Sequence, residues 1–238
     1  MLTSFQNDTN NSLAVVIGST GGIGAAVLAQ LQADSPFAQV IGLSRSTLPA
    51  LDLLDEASIS DAARHVSALG LPIRLVIDAT GILAGANHLP EKSLSQLNAA
   101  QMAQAFAINA IGPALLMKHF LPVLPKSGKA VFASLSAKVG SIGDNRLGGW
   151  YSYRASKAAL NQLVHTAAIE LRRRTPEAIC VALHPGTVAT DLSSPFAKTG
   201  LEVQTPAECA TKLLAVIDGL SAADSGGFFN HDGSALPW

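Results

Sequence analysis

Charge is scarce in this chain. Only 14% of its 238 residues are charged, and basic residues do not outnumber acidic ones, which leaves a net charge of −1. Without a basic excess there is no field to gather phosphates, so nucleic-acid partners are disfavoured. The one dense basic run, Arg172 to Arg174, follows the apolar-periodic stretch Leu163 to Leu171 and reads as a solvated last helical turn. Cysteine is scarce too: Cys180 and Cys209 form neither a disulfide framework nor a metal-ligand spacing, which fits a reducing, cytoplasmic compartment. No uninterrupted apolar run approaches the roughly 20 residues that cross a bilayer, so no membrane partner is expected. Residues 1–12 have no basic segment followed by an apolar one and are expected to be a frayed tail ahead of a single domain, 13–238. What is abundant is apolar surface. At 48% hydrophobic residues and a mean hydropathy of +0.32, the chain buries a large core, which excludes disorder.

Hydrophobic runs alternate with helical periodicities along the chain. Strands are predicted at Leu13–Ile17, Val40–Leu43, briefly at Leu51–Leu53, Arg74–Asp78, Ala130–Ser134, Ile179–Leu183 and Gly227–Asn230. Helices are predicted at Ile23–Ala33, near Glu56–Leu69, Ala99–Phe120, Ser152–Arg173 and Pro206–Leu220. Buried-type strands alternating with amphipathic helices imply an α/β chain: a Rossmann-type, doubly wound parallel sheet of about seven strands with helices on both faces. The Ala189 to Thr205 stretch is irregular yet apolar at Leu192, Phe196 and Leu201. It reads equally as a lid over a pocket and as a surface excursion.

Four patterns carry chemistry. Gly18-Ser19-Thr20-Gly21-Gly22-Ile23-Gly24 stands between the first strand and the first helix, where glycines let the backbone turn sharply and a pyrophosphate approach the helix N-terminus. After the second strand, Ser44, Arg45 and Ser46 stand where an NAD-preferring site has an acidic residue. They suit a 2′-phosphate, so NADP(H) is favoured, with NAD(H) possible. Tyr153 and Lys157, spaced i and i+4 at the start of a helix, share one face, and an ammonium there can lower a phenol pKa from about 10. Tyr151 has Ala155 at i+4 and lacks that partner. Ser136 and Ser134 both stand at the end of a buried-type strand, where a hydroxyl can bond a substrate carbonyl or merely satisfy backbone.

Taken in order, these residues resemble the short-chain dehydrogenase/reductase family in its compact single-domain branch, over Ala14 to Trp238. Gly18, Gly22 and Gly24 match its glycine motif, and Asp52 its adenine-contacting aspartate. Asp78-Ala79-Thr80-Gly81 occupies the place of its Asn-Asn-Ala-Gly turn, and Asn109 matches the helix asparagine that holds a relay water. Ser136, Tyr153 and Lys157 complete the catalytic set, Ser136 being preferred to Ser134 by that alignment. Pro185-Gly186-Thr187-Val188-Ala189-Thr190 matches the loop around the nicotinamide. The resemblance implies a cofactor set of Gly18, Ser19, Thr20, Gly22, Ile23, Gly24, Ser44, Arg45, Ser46, Asp52, Leu53, Ala79, Thr80, Gly81, Tyr153, Lys157, Pro185, Gly186, Val188 and Thr190. It also implies assembly as a homodimer or homotetramer through the helices bearing Asn109 and Tyr153. Gly148-Gly149-Trp150-Tyr151-Ser152-Tyr153-Arg154 and the ending Asp232 to Trp238 are most similar to carbonyl-reductase and C-factor-like members.

The chain departs from the family in three places. Ala79 replaces a common asparagine. The span between Leu43 and Leu51 has no room for the usual helix. Sixteen residues separate Ser136 from Tyr153. The expected activity is hydride transfer between NADP(H) and a small-molecule carbonyl or secondary alcohol, with Tyr153 as acid/base, Lys157 lowering its pKa, Ser136 polarising the carbonyl and Asn109 anchoring water. A nucleotide-binding signalling protein with little turnover is the alternative. An epimerase or dehydratase is disfavoured because only 53 residues follow Pro185. His184, before Pro185, is expected to pack beside the cofactor loop, and no metal site is expected.

Overall fold

The computed structural model describes residues 2–8, 11–83, 89–190 and 203–238. Eight strands occur among them, β1 (Leu13–Ile17), β2 (Gln39–Leu43), β3 (Ile73–Asp78), β4 (Ala130–Leu135), β5 (Ala178–His184), β6 (Thr187–Val188), β7 (Val203–Gln204) and β8 (Phe228–Asn230). Six form one parallel sheet in the order β2-β1-β3-β4-β5-β8, and β6 pairs with β7 in a small second sheet. The helices are α1 (Gly22–Ala33), α2 (Glu56–Ser67), α3 (Ala99–Phe106), α4 (Gly112–Phe120), α5 (Tyr151–Arg174) and α6 (Pro206–Gly219).

The strands read as unbroken apolar runs because both faces of the sheet are covered. Alternate side chains enter opposite layers. Val15, Ile17, Val76 and Phe132 pack with Ile59 of α2, Leu116 and Phe120 of α4, and Leu160 and Val164 of α5. Val16, Leu75, Ile77 and Val181 pack with Val27 and Leu31 of α1 and with Leu213 and Ile217 of α6. From β1 the chain moves outward to β2 on one side, and β3 lies on the other. A crevice therefore opens above the carboxyl ends of β1 and β3, the place where sheets of this kind bind ligands.

Three expectations are corrected. Leu51 to Leu53 is not a strand. The Ser44 amide bonds Thr47 Oγ1, the Leu51 amide returns to the Ser44 carbonyl at 2.9 Å, and Asp52 to Asp55 forms a turn, so the segment has no ladder to join. Leu53 instead packs on Gly112 at the start of α4, where a Cβ would come within 2.8 Å of it. Secondly, the N-terminus is not a free tail throughout residues 1–12. Leu2 and Phe5 are buried, the Phe5 ring meets Phe37 at 5.4 Å, and Thr3 and Ser4 donate to Asp218 of α6. Thirdly, the helix expected from Ala99 to Phe120 is continuous but contains a π turn at Ala107–Ile111, with Asn109 inside it. Ala99–Val123 is the one described helical run long and apolar enough to cross a membrane, and Leu116, Met117 and Phe120 within it belong to the core.

Candidate active site

The glycine turn closes through local geometry. Gly18, at φ +79°, accepts from Gly21, and a Cβ at Gly24 would meet the Gly18 carbonyl at 2.2 Å, so α1 can pack against β1 only with glycine there. No side chain caps α1. Its first amides have no side-chain partner, and an uncapped helix terminus of this kind suits an anion. A Cβ at Gly22 would fall 2.6 Å from Thr190 Cγ2, so the loop after β6 lies over this terminus. That loop is fastened from behind: Gln204 Nε2 donates to the Pro185 carbonyl, the Ala189 amide to the Gln204 carbonyl at 2.9 Å, and Gly186 takes φ +78°. Val188 is buried beneath it. Of the segment expected as a lid or excursion, 191–202 lies outside the described residues.

The residues after β2 are arranged locally. Ser44 Oγ and Ser46 Oγ are 3.1 Å apart, and Arg45 is exposed with no ion pair among the described residues. Asp52 Oδ1 accepts from the amide of Leu54 at 3.0 Å, and Ser19 Oγ donates to the Leu43 carbonyl. Thr20 is exposed, and Ile23 packs partly against the core.

At the other end of the crevice the network is buried and long-range. Asp78, 1% exposed, accepts from Ser134 Oγ at 2.6 Å and from the amide and hydroxyl of Thr80. Burial pushes its carboxyl above the usual range, against those bonds and the field of Lys157. Ser134 is thereby committed to Asp78. Ala79 bonds back to Ile17, and Gly81 leaves space beside it that a Cβ would fill, 3.2 Å from Asn109 Oδ1 and 3.3 Å from Lys157 Nζ. Asn109 bridges the backbone of Ile82 through its Oδ1 and Nδ2, both at 2.8 Å, and donates to Ser156 Oγ at 3.1 Å.

Lys157, 3% exposed, donates to the Leu135 carbonyl at 2.8 Å, and burial lowers its pKa to about 8 while Asp78 opposes the fall. Tyr153 lies one turn earlier on α5, its ring 6.2 Å from that of Trp150 and edge-on to it. Burial raises its pKa to about 12. The expected lowering by Lys157 is therefore absent in this state, because the ammonium bonds a backbone carbonyl and desolvation dominates. Ser136, also buried, donates to Asn161 Oδ1 at 2.6 Å.

Three contributors escaped the sequence reading. Asn161 follows Lys157 by four residues on the same helix, a spacing that offered the signal. Asp78 stands in the sequence as the end of a strand and the start of a turn, with no sign of its bond to Ser134. Glu91 gave no signal at all, yet its buried carboxylate accepts from the amide and hydroxyl of Ser152, and its carbonyl from the amide of Trp150, which sits at φ +53°. Glu91 thus supplies the N-terminal cap of the helix that carries Tyr153 and Lys157.

Comparison with known proteins now bears on this arrangement. A family model described as enoyl-(acyl carrier protein) reductase matches residues 23–213. The short-chain dehydrogenase srdF of Neurospora crassa is 32% identical over 97% of this chain and 99% of its own. This chain belongs to the short-chain dehydrogenase/reductase family. The C-signal protein of Myxococcus xanthus is 39% identical across 148 residues, 61% of this chain and 84% of its own. The crystal structure of an NADPH-bound carbonyl reductase from chicken fatty liver superposes with a TM-score of 0.83 at 31% identity, covering 96% of this chain and 99% of that one. This short-chain dehydrogenase/reductase is therefore an oxidoreductase by family, with the Rossmann-type fold of the carbonyl reductases. Among the described residues no cluster of His, Cys, Asp or Glu is arranged to hold a metal, and both cysteines are free and buried.

Proposed function

We propose that the protein is an NADP(H)-dependent reductase of small carbonyl compounds, with oxidation of secondary alcohols as the reverse reaction. The observation that carries this reading is the placement of Tyr153 and buried Lys157 on one face of α5, with Gly81 leaving open the space that borders both the lysine amine and the Asn109 amide oxygen. The crevice fits a dinucleotide. The uncapped α1 terminus and the Gly18–Gly24 turn suit a pyrophosphate, Ala79 to Gly81 and Pro185 to Thr190 line its path, and Arg45 with Ser44 and Ser46 suits a 2′-phosphate. NADPH in the chicken carbonyl reductase supports the same assignment. When bound, the nicotinamide supplies the hydride.

The side chains handle the proton. With its pKa near 12, Tyr153 is a neutral phenol across physiological pH and is charged with the proton that reduction requires. Lys157, an ammonium below about pH 8, stabilises the phenolate left behind once its amine turns from the Leu135 carbonyl. Ser136 polarises the carbonyl once its hydroxyl turns from Asn161. Asn109 has its side chain committed to Ile82 and Ser156, so a relay water would be held at the widened backbone of the π turn.

The exposed apolar residues Ile111, Leu163 and Ile169 support assembly through the helices bearing Asn109 and Tyr153. A second reading, a signalling protein with little turnover, draws on the 39% identity to C-signal. NADPH absorbance decay against aldehydes, ketones and diketones separates the two. Turnover that Tyr153→Phe abolishes supports the reductase, and tight NADPH binding with no turnover on any carbonyl favours signalling.

A further inference from the structure

A cavity of about 270 Å³ opens at the outer carboxyl edge of the sheet, lined by Lys138, His184, Gly186, Lys212, Asn230 and His231 among others. Its chemistry is one-sided. Two lysines arrive from different elements, Lys138 from the turn after β4 and Lys212 from α6. The two imidazoles face each other at 6.4 Å, nearly perpendicular. Of the nearby carboxylates, Asp144 pairs with Lys138 at 3.6 Å, and Asp232 is occupied by Ser234 and Asn230. His184 Nδ1 is buried without a hydrogen-bond partner, and His231 Nδ1 lies 2.7 Å from Asn230 Oδ1. Burial first, then His231 and Lys138, hold His184 down at about 4 against the opposing field of Asp144, so it stands neutral.

The cavity also stands next to the candidate chemistry. Leu135 pairs with Leu183 across β4 and β5, and the Ser136 amide donates to the Leu183 carbonyl, so Ser136 and His184 occupy adjacent strand ends, roughly 5 Å apart in backbone. Gly186 lines the cavity at the start of the loop that reaches over α1. A Cβ there would lie 2.6 Å from Gln204 Nε2 and 3.2 Å from His231 Nδ1, so the glycine lets this loop back the cavity closely.

We infer that this cavity receives an oxyanion, a carboxylate or a phosphate, carried by the carbonyl substrate a few atoms from its reacting carbon. The inference rests on the reductase reading above. Lys138 and Lys212 supply the attraction and the imidazoles the directed hydrogen bonds. Neither lysine belongs to the machinery assigned to proton transfer or cofactor binding.

The test begins with binding, which is independent of turnover. Propionate and inorganic phosphate are titrated separately into the full chain with NADPH, and the ring protons of His184 and His231 are followed by NMR. At least one ion is expected to shift both imidazoles saturably, and which one does identifies the oxyanion. The double variant Lys138→Met, Lys212→Met is expected to weaken that binding at least tenfold. In kinetics, a keto acid (or a keto phosphate, if phosphate is selected) is expected to show a KM at least tenfold below that of its neutral methyl ester. The variant should erase this preference while leaving kcat on the ester unchanged. The inference is overturned if neither ion moves the imidazoles, if the variant binds as well as the parent, or if acid and ester are reduced alike. Saturable binding to a protein that reduces no carbonyl would keep the anion site and refute the reductase reading instead.

Discussion

The two ends of the crevice are built on different principles. After β2, side-chain bonds reach two to six residues along the chain, as in Ser44 to Ser46 and Ser58 to the backbone of Asp52, and they lie at part-buried positions beside the exposed Arg45. Around Lys157 they reach 22 to 56 residues: Lys157 to Leu135, Ser136 to Asn161, Asn109 to Ile82 and Ser134 to Asp78, all at buried or part-buried positions. A local end with exposed side chains can change its residues at little cost to the fold, and the proposed reading of the 2′-phosphate lies there. A buried network binds separate strands and helices together, so changes in it are felt in stability as well as chemistry.

The largest expected effect lies at the buried end. Tyr153→Phe should lower kcat about 10²- to 10⁴-fold while the NADPH dissociation constant stays within about twofold, measured by steady-state kinetics and fluorescence titration. An unchanged kcat would remove the distinction between the ends.

Next comes the cost of the buried ammonium. Lys157 titrates at about 8 in the fold against an ordinary 10.5, so between those values the unfolded chain holds the proton more firmly and the fold gains stability as pH rises. Lys157→Met should therefore unfold at higher urea than the parent at pH 7, by roughly 1–3 kcal/mol after loss of the bond to Leu135. The gap should narrow as pH climbs from 8 toward 10.5. A gap independent of pH would show that the amine is not desolvated.

Glu91→Ala tests whether the cap on α5 belongs to the same buried network. It should cost about 1–3 kcal/mol in urea unfolding, because it strands the Ser152 hydroxyl and the first amides of the helix.

The smallest effect is expected at the exposed end. Arg45→Ala should weaken NADPH binding about tenfold, leave NADH binding unchanged and alter stability by less than about 0.5 kcal/mol. Equal weakening toward both cofactors would mean that Arg45 does not read the 2′-phosphate.

How much of this was legible beforehand follows the same division. β1, β3, β4 and β5 stood out as runs such as Leu13 to Ile17 because a two-sided sheet leaves no polar alternation to confuse them. The glycine turn and the Tyr153–Lys157 spacing were legible because each acts within a few residues. Leu51 to Leu53 misled because a short apolar run looks alike whether it enters a sheet or packs on Gly112. The pairing of Glu91 with Ser152 crosses 61 residues and left no trace in either segment.

By itself, then, the order of amino acids determined the alternation of strand and helix, the turn that only glycine can make, and the phenol and amine on one helical face, since each follows from backbone sterics or a repeat within two turns. The tertiary structure alone decided that Ser134 serves Asp78, that Lys157 loses its water and leans on Leu135, and that two lysines and two histidines share one cavity. Those outcomes depend on burial and on contacts between distant segments, and desolvation acts only on a group that the folded chain has enclosed.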